Sequence, residues 1–221
     1  MCGRFLLFTC EEYEDLLSII RDIEVNHSMN KLNQYPKTDI FPGDLVPIIT
    51  TASDNNGAIT QSKWGFPNLK ERNRLLINAR GETVVEKPTF KKLILTKRCL
   101  IPAIGFYEWK KHDNIKEKYL IKPKGFEFFY LAGLYNEFID QSGQNYTGFV
   151  IITTAANKEM QQIHDRMPVI IPSKAYADKW IDSSPSQFES IKAMIHPYEN
   201  ELYIENQASS SQLQLQLQFK M

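Results

Sequence analysis

A series of apolar, β-branched runs fills the middle of the chain, with turn residues between them, and this succession restricts the possible folds more than any other feature. The runs read LVPIITT, GAITQSKWGF, RCLIPAIGFYEW, KYLIKPKGFEFFYLAGLYNEF and YTGFVIITTAAN. Val, Ile, Thr and aromatic side chains suit a pleated, half-buried strand. The breaks, SDNNG and the Lys-Gly within IKPKGF, carry turn chemistry rather than helical crossovers. Strands joined by turns pair antiparallel, so the pattern predicts an α+β fold: a mainly antiparallel, barrel-like β core with flanking helices. EEYEDLLSIIRDIEV (residues 11–25) predicts an amphipathic helix with Tyr13, Leu16, Leu17, Ile20 and Ile23 on one face. SKAYADKWID and SPSQFESIKAMI predict two short helices behind serine or Ser-Pro caps. At 221 residues the chain can bury a sizeable core, and one domain over residues 1–205 is expected. A Ser-rich hinge and alternating Gln and Leu then mark residues 206–221 as a flexible tail.

No apolar run approaches the ~18–20 residues of a membrane span. Acidic EEYED follows MCGRFLLFTC almost at once, unlike a signal peptide. Cys2, Cys10 and Cys99 are odd in number and scattered, which argues against a disulfide framework. With no CxxC pair and four histidines, no zinc or other metal site and no cofactor is expected. These features predict a cytoplasmic protein with reduced thiols, nucleoid-associated in a bacterium, and a monomer.

The formal net charge is zero, which taken alone argues against a nucleic-acid partner, but the charges are segregated. Residues 61–124 carry 16 Lys and Arg against 6 Asp and Glu, while residues 1–60 carry 4 against 9. A basic block of this kind is the electrostatic footprint of a polyanion partner, or else a solvated lysine-rich face such as KKHDNIKEKYLIKPK.

Four short stretches carry possible chemistry. Cys2 directly follows the initiator Met, and removal of Met1 would leave a thiol and an α-amine on adjacent carbons. At neutral pH such a pair holds both neutral amine and some thiolate, and can close a five-membered thiazolidine on an aldehyde. The alternative is a small buried residue behind a retained Met. Glu108 in GFYEW stands among apolar residues, suited to holding and passing a proton, or to pairing with a buried arginine. Asn78 and Arg80 in INAR lie two apart, hence on one face if the stretch is extended, and there suit an oxygen-rich ligand such as a phosphodiester. His164 and Arg166 in IHDRMP repeat that spacing, with His164 either a proton carrier or a structural histidine.

Taken in order, MCGRF, KWGF, INARGET, GFYEW and IHDRMPV resemble the SRAP family (SOS-response-associated peptidase) over about residues 1–200. The resemblance implies covalent trapping of abasic sites in single-stranded DNA, through a thiazolidine on Cys2 once Met1 is removed. By the same resemblance Glu108 shuttles protons, Asn78 orients the opened sugar and His164 supports the crosslink. Arg4, Arg80 and Arg166 hold phosphates, and Trp64 lies against a base. The family's loop around DIFPGD differs here, which leaves Pro42, with Phe41, as the expected wedge beside the strand. A self-processing peptidase step that removes Met1 and a lyase-type activity are further implications. Two other readings stay open: an N-terminal-nucleophile amidohydrolase, because glutamine amidotransferases also begin Met-Cys-Gly, and a non-catalytic single-strand binder. The tail's QLQLQF fits a Q-x-x-L-x-F clamp-docking pattern through Gln214, Leu217 and Phe219, or is simply low-complexity sequence.

Overall fold

A computed structural model describes residues 2–7, 39–51, 57–68, 70–71, 74–112, 115–126, 128–182, 184 and 188–207. The helix expected over residues 11–25, Cys10, the SDNNG turn, and the tail with Gln214, Leu217 and Phe219 lie outside them.

Two sheets share the work. The first holds five strands: β1 (Phe5–Leu6), β2 (Asp39–Ile40), β9 (Gly105–His112), β10 (Ile115–Pro123) and β15 (Leu202–Asn206), in the order β15-β10-β9-β1-β2, all antiparallel. The second is built on β3 (Leu45–Thr51), β4 (Gly57–Trp64), β8 (Arg98–Ala103), β11 (Phe129–Ile139) and β12 (Asn145–Ala155). These pair in the ring β12-β4-β3-β8-β11 and back to β12, which closes a five-stranded barrel. β7 (Asn78–Arg80) and β13 (Arg166–Pro168) add to β12, and β14 (Ile170–Ile171) adds to β11. β5 (Phe66–Pro67) and β6 (Leu75–Leu76) form a separate short pair. The expected mainly antiparallel, barrel-like α+β fold is therefore present, with parallel pairing where β12 meets β4 and β7.

Period-two alternation divides the core. Cys99, Ile101 and Ala103 of β8, Phe129 and Leu131 of β11, and Phe149 and Ile151 of β12 pack with Phe5, Ile40, Phe106 and Ile121 of the five-stranded sheet. Their neighbours Leu100, Tyr130, Ala132, Val150 and Ile152 face the opposite way. There they meet the short helices α1 (Pro88–Lys91), α2 (Leu93–Thr96), α3 (Lys174–Ile181) and α4 (Phe188–Ala193) through Phe90, Ile94, Trp180 and Ile191. With both faces covered, these strands read as unbroken apolar runs, which is why the sequence shows little polar alternation there.

Three details differ from the sequence reading. RCLIPAIGFYEW breaks at Ile104 into two strands that enter different sheets. β10 and β11 are not hairpin partners, although Gly125 supplies the expected turn at φ 81°. Ser173 occupies the N-cap position of α3, but its hydroxyl makes no capping bond. Among the described residues the final strand is Leu202–Asn206.

The ends of α2 and α3 converge on a buried arginine. Arg98 is 4% exposed and donates to the carbonyls of Ile94 and Leu95 (2.6 and 2.9 Å), Trp180 (2.6 Å) and Asp182. These are carbonyls that a helix C-terminus leaves without intrahelical donors. Burial pulls the Arg98 pKa down, and the Asp182 charge opposes that.

Candidate active site

Cys2 lies between the two sheets. It is fully buried, and its carbonyl accepts a 3.0 Å hydrogen bond from Asn78 Nδ2 on β7. Glu108, on β9 and only 3% exposed, acts on the same thiol through its charge. Its position follows from strand alternation: Phe106 points into the core and so does Glu108, while Tyr107 and Trp109 take the other face. Burial pushes the Cys2 thiol pKa well up, and Glu108 pushes it further. Three segments distant in sequence thus deliver the thiol, an amide and a carboxylate to one place. Asn78 Oδ1 is buried there without a protein partner.

A second group gathers where β7 and β13 flank the end of β12, with Thr153 opposite Arg80 and Ala155 opposite Arg166. Asn78 and Arg80 share a face, as their spacing predicts, and Arg80 is exposed at its end. His164 Nδ1 lies 3.0 Å from the Arg166 amide nitrogen and 2.8 Å from Asp165 Oδ1. These contacts need different protonation states. The amide donates to a bare Nδ1 in a neutral ring carrying its proton on Nε2, whereas the Asp165 contact needs a proton on Nδ1.

Arg166 differs from its expected role. Its end-on edge meets Glu82 in a bidentate pair, Nη1–Oε1 2.7 Å and Nη2–Oε2 2.9 Å, and Nη2 also donates to Thr153 O at 2.7 Å. The forked edge that would grip a phosphate is thereby filled by a carboxylate. The Arg166 hydrogen bonds hold the Glu82 pKa below its usual range, so the stability this pair adds is present above the ordinary Glu pKa and lost as pH falls through the lowered value. A Glu82→Gln protein, with Arg166 no longer neutralised, is expected to bind single-stranded DNA with a steeper salt dependence, by about 0.7 in log–log slope. An unchanged slope would mean that Arg166 does not face the strand.

Trp64 calls for a correction. Its indole is fully buried between Phe149, stacked at 6.2 Å, and Phe5, edge-on at 5.1 Å, with Nε1 donating to Ile77 O at 3.1 Å. No ring face is open to a base, so Trp64 supports the site from within the core. The open rings lie elsewhere. Phe41, 41% exposed, and Trp109 flank the Arg4 guanidinium at 4.2 and 5.2 Å. Pro42 is exposed in a turn where Asp44 N–H donates to Phe41 O at 3.0 Å and Gly43 takes a φ of 96°. A left-handed residue after proline is the type II turn that glycine allows.

The sequence reading omitted Glu82, Asp39 and Lys118. Glu82 lies just past β7 in a single 3₁₀ turn, Gly81–Thr83, where strand alternation no longer applies, so only the folded chain shows it meeting Arg166. Asp39 Oδ2 lies 3.6 Å from both Arg4 Nη1 and Lys118 Nζ, a bridge visible only once β1, β2 and β10 are assembled. Burial, then Asp39, push the Tyr107 pKa up to about 12.

These features describe a barrel-containing domain that draws its own N-terminal cysteine between two sheets and surrounds it with polar side chains from distant strands. The chain belongs to the SRAP family: the family model, SOS response associated peptidase, matches residues 1–211. The abasic site processing protein YoqW of Bacillus subtilis is 34% identical over 205 residues, covering 90% of this chain and 88% of that protein. The abasic site processing protein YedK of Escherichia coli is 29% identical over 182 residues, covering 82% and 79%. A crystal structure of a Bacteroides thetaiotaomicron protein shares the fold at a TM-score of 0.75 and 22% identity, over 93% of this chain and 91% of that one. Among the described residues, no helix is long and apolar enough to cross a membrane.

Proposed function

We propose that this protein processes abasic sites in single-stranded DNA by forming a covalent thiazolidine with Cys2. The observation that carries the reading is the meeting of Cys2, Asn78 and Glu108 between the sheets. The names of YoqW and YedK, both abasic site processing proteins, support the substrate class.

The chemistry runs in two steps. After Met1 leaves, the Cys2 amine attacks the aldehyde carbon of the ring-opened deoxyribose, and loss of one water gives an imine. The thiolate then adds to the imine carbon while the nitrogen takes up a proton, closing the ring. No oxidant or reductant is needed, and the adduct weighs the sum of its parts less one water. Removing Met1 also places a new ammonium beside a thiol that burial and Glu108 hold protonated, which eases its ionisation. Glu108 is placed to move the protons that both steps require, and Asn78 fixes the backbone of the nucleophile.

Intact mass spectrometry with an oligonucleotide carrying one abasic site tests this. Protein lacking Met1 should gain the oligonucleotide mass less one water, and Cys2→Ala should gain nothing. Adduct formation by Cys2→Ala, or none by processed wild type, would sink the proposal. The second result would favour a plain single-strand binder, while release of ammonia from glutamine would favour an amidohydrolase.

A further inference from the structure

The outward face of the five-stranded sheet carries a row of cations, of which only Lys118 touches the site described above, through Asp39. In β10, Lys116, Lys118, Leu120 and Lys122 point away from the core, since Ile121 points into it. The pairing register sets Lys116 opposite Lys111 and Lys118 opposite Trp109. Lys118 Nζ lies 3.6 Å from the centre of the Tyr107 ring, and Lys122 Nζ lies 5.6 Å from that of Tyr203. The acidic groups that alternation places on this face among the described residues are Asp39 and Glu205. Asp39 is shared between Lys118 and Arg4, which joins the row to the segment bearing Cys2.

Three physical points indicate the partner. Like charges directly opposite each other in an antiparallel pair destabilise it, so the exposed Lys111–Lys116 pair costs the free protein stability. A polyanion would remove that cost. Alternate residues of one strand recur every ~6.6 Å, which sets the ammonium groups in file rather than in a scattered patch. The Lys118 and Lys122 heads also lie over aromatic rings, whose faces suit both cations and bases. An acidic protein would match the charge, but not a file of cations running on from Arg4 beside the reactive cysteine.

We propose that Lys111, Lys116, Lys118 and Lys122 form a track for the sugar–phosphate backbone of the DNA strand flanking the reacting nucleotide. The proposal rests on the single-strand reading above, and extends it to the direction in which the strand leaves the site. The track makes binding dependent on DNA length and leaves the covalent chemistry to the Cys2 site.

The test compares wild type with a variant in which Lys111, Lys116 and Lys122 become Gln, with Lys118 kept because it shares Asp39 with Arg4. Binding of undamaged single-stranded oligonucleotides, one about five nucleotides long and one about thirty, is followed by fluorescence anisotropy across a salt series. On the long strand the variant should lose about 2 from the log–log salt slope, since each phosphate contact contributes about 0.7. On the short strand the two proteins should match. Crosslinking at saturating abasic DNA should proceed at the same rate in both. A separate measurement on DNA-free protein uses Lys116→Gln alone, which should raise the melting temperature at low salt and lose that advantage in 1 M salt. Equal salt slopes on the long strand would overturn the track, and so would equal losses on both lengths. Length-dependent binding in a protein that never crosslinks would overturn the thiazolidine reading and leave the track standing.

Discussion

A Glu108→Gln protein is expected to crosslink abasic DNA about 10²–10⁴-fold more slowly than wild type, the range that positioned acid–base groups contribute. Reversal of the crosslink should slow by a similar factor, because the same proton transfers run backwards. Affinity for undamaged single-stranded DNA should change little, since the carboxylate is only 3% exposed. A second effect runs in the opposite direction. Glu108 raises the Cys2 thiol pKa through its charge, so an uncharged amide lowers it. At fixed pH, processed Glu108→Gln should therefore be alkylated at Cys2 faster than wild type. A more nucleophilic thiol joined to slower crosslinking would separate proton transfer from thiol activation. Unchanged crosslinking in both directions would remove Glu108 from the mechanism, and unchanged alkylation would remove its charge from the field at Cys2.

Arg98→Met is expected to lower the unfolding free energy by about 3–5 kcal/mol, the usual cost of breaking a buried charged network. The variant leaves four carbonyls at the ends of α2 and α3 without their donor, while the Asp182 carboxylate keeps its bonds from Ser184 and loses only a nearby charge. For a chain of this size each kcal/mol moves the melting temperature by about 2–4 °C, so a fall on the order of 10 °C is expected in a thermal melt. Arg98→Lys should recover only part of the loss. An ammonium has three donors on a flexible stem and cannot reach four carbonyls with the planar spread of a guanidinium. A change under about 1 kcal/mol in Arg98→Met would mean that the helix ends find other donors, water among them.

The parts of this protein that were legible in the sequence are those set by local rules. The turn-separated apolar runs of β3, β4, β8, β11 and β12 gave the barrel, because β-propensity and turn chemistry act over a few residues. The two-residue spacing of Asn78 and Arg80 puts them on one face only where the chain is extended, and Asn78–Arg80 is a strand. What escaped depends on assembly. The break at Ile104 leaves no compositional mark, since strands of both sheets are buried and apolar on either side of it. Trp64 was assigned to a base by analogy, but a tryptophan next to a glycine reads alike whether its ring faces solvent or the Phe5 and Phe149 rings. Arg98 sits in an apolar run where nothing nearby in sequence announces four carbonyl partners, two of them more than 80 residues away. Arg166 and Glu82 are likewise 84 residues apart. Their mutual neutralisation is a property of the folded barrel.

The pairing of Phe5 with Phe106 also imposes an order of events during synthesis. The N-terminal strand can pair with β2 once residue 40 has been made, but its other neighbour, β9, follows only when the segment around residue 106 is made, at about 5–20 residues per second roughly 5–20 s into synthesis. Throughout this interval the two sheets that bury Cys2 are incomplete, and the residue stays open to whatever removes Met1. Afterwards it is sealed between two sheets. On the proposed chemistry, maturation of the nucleophile is therefore a race against folding, and the wide separation between β1 and β9 along the chain favours maturation.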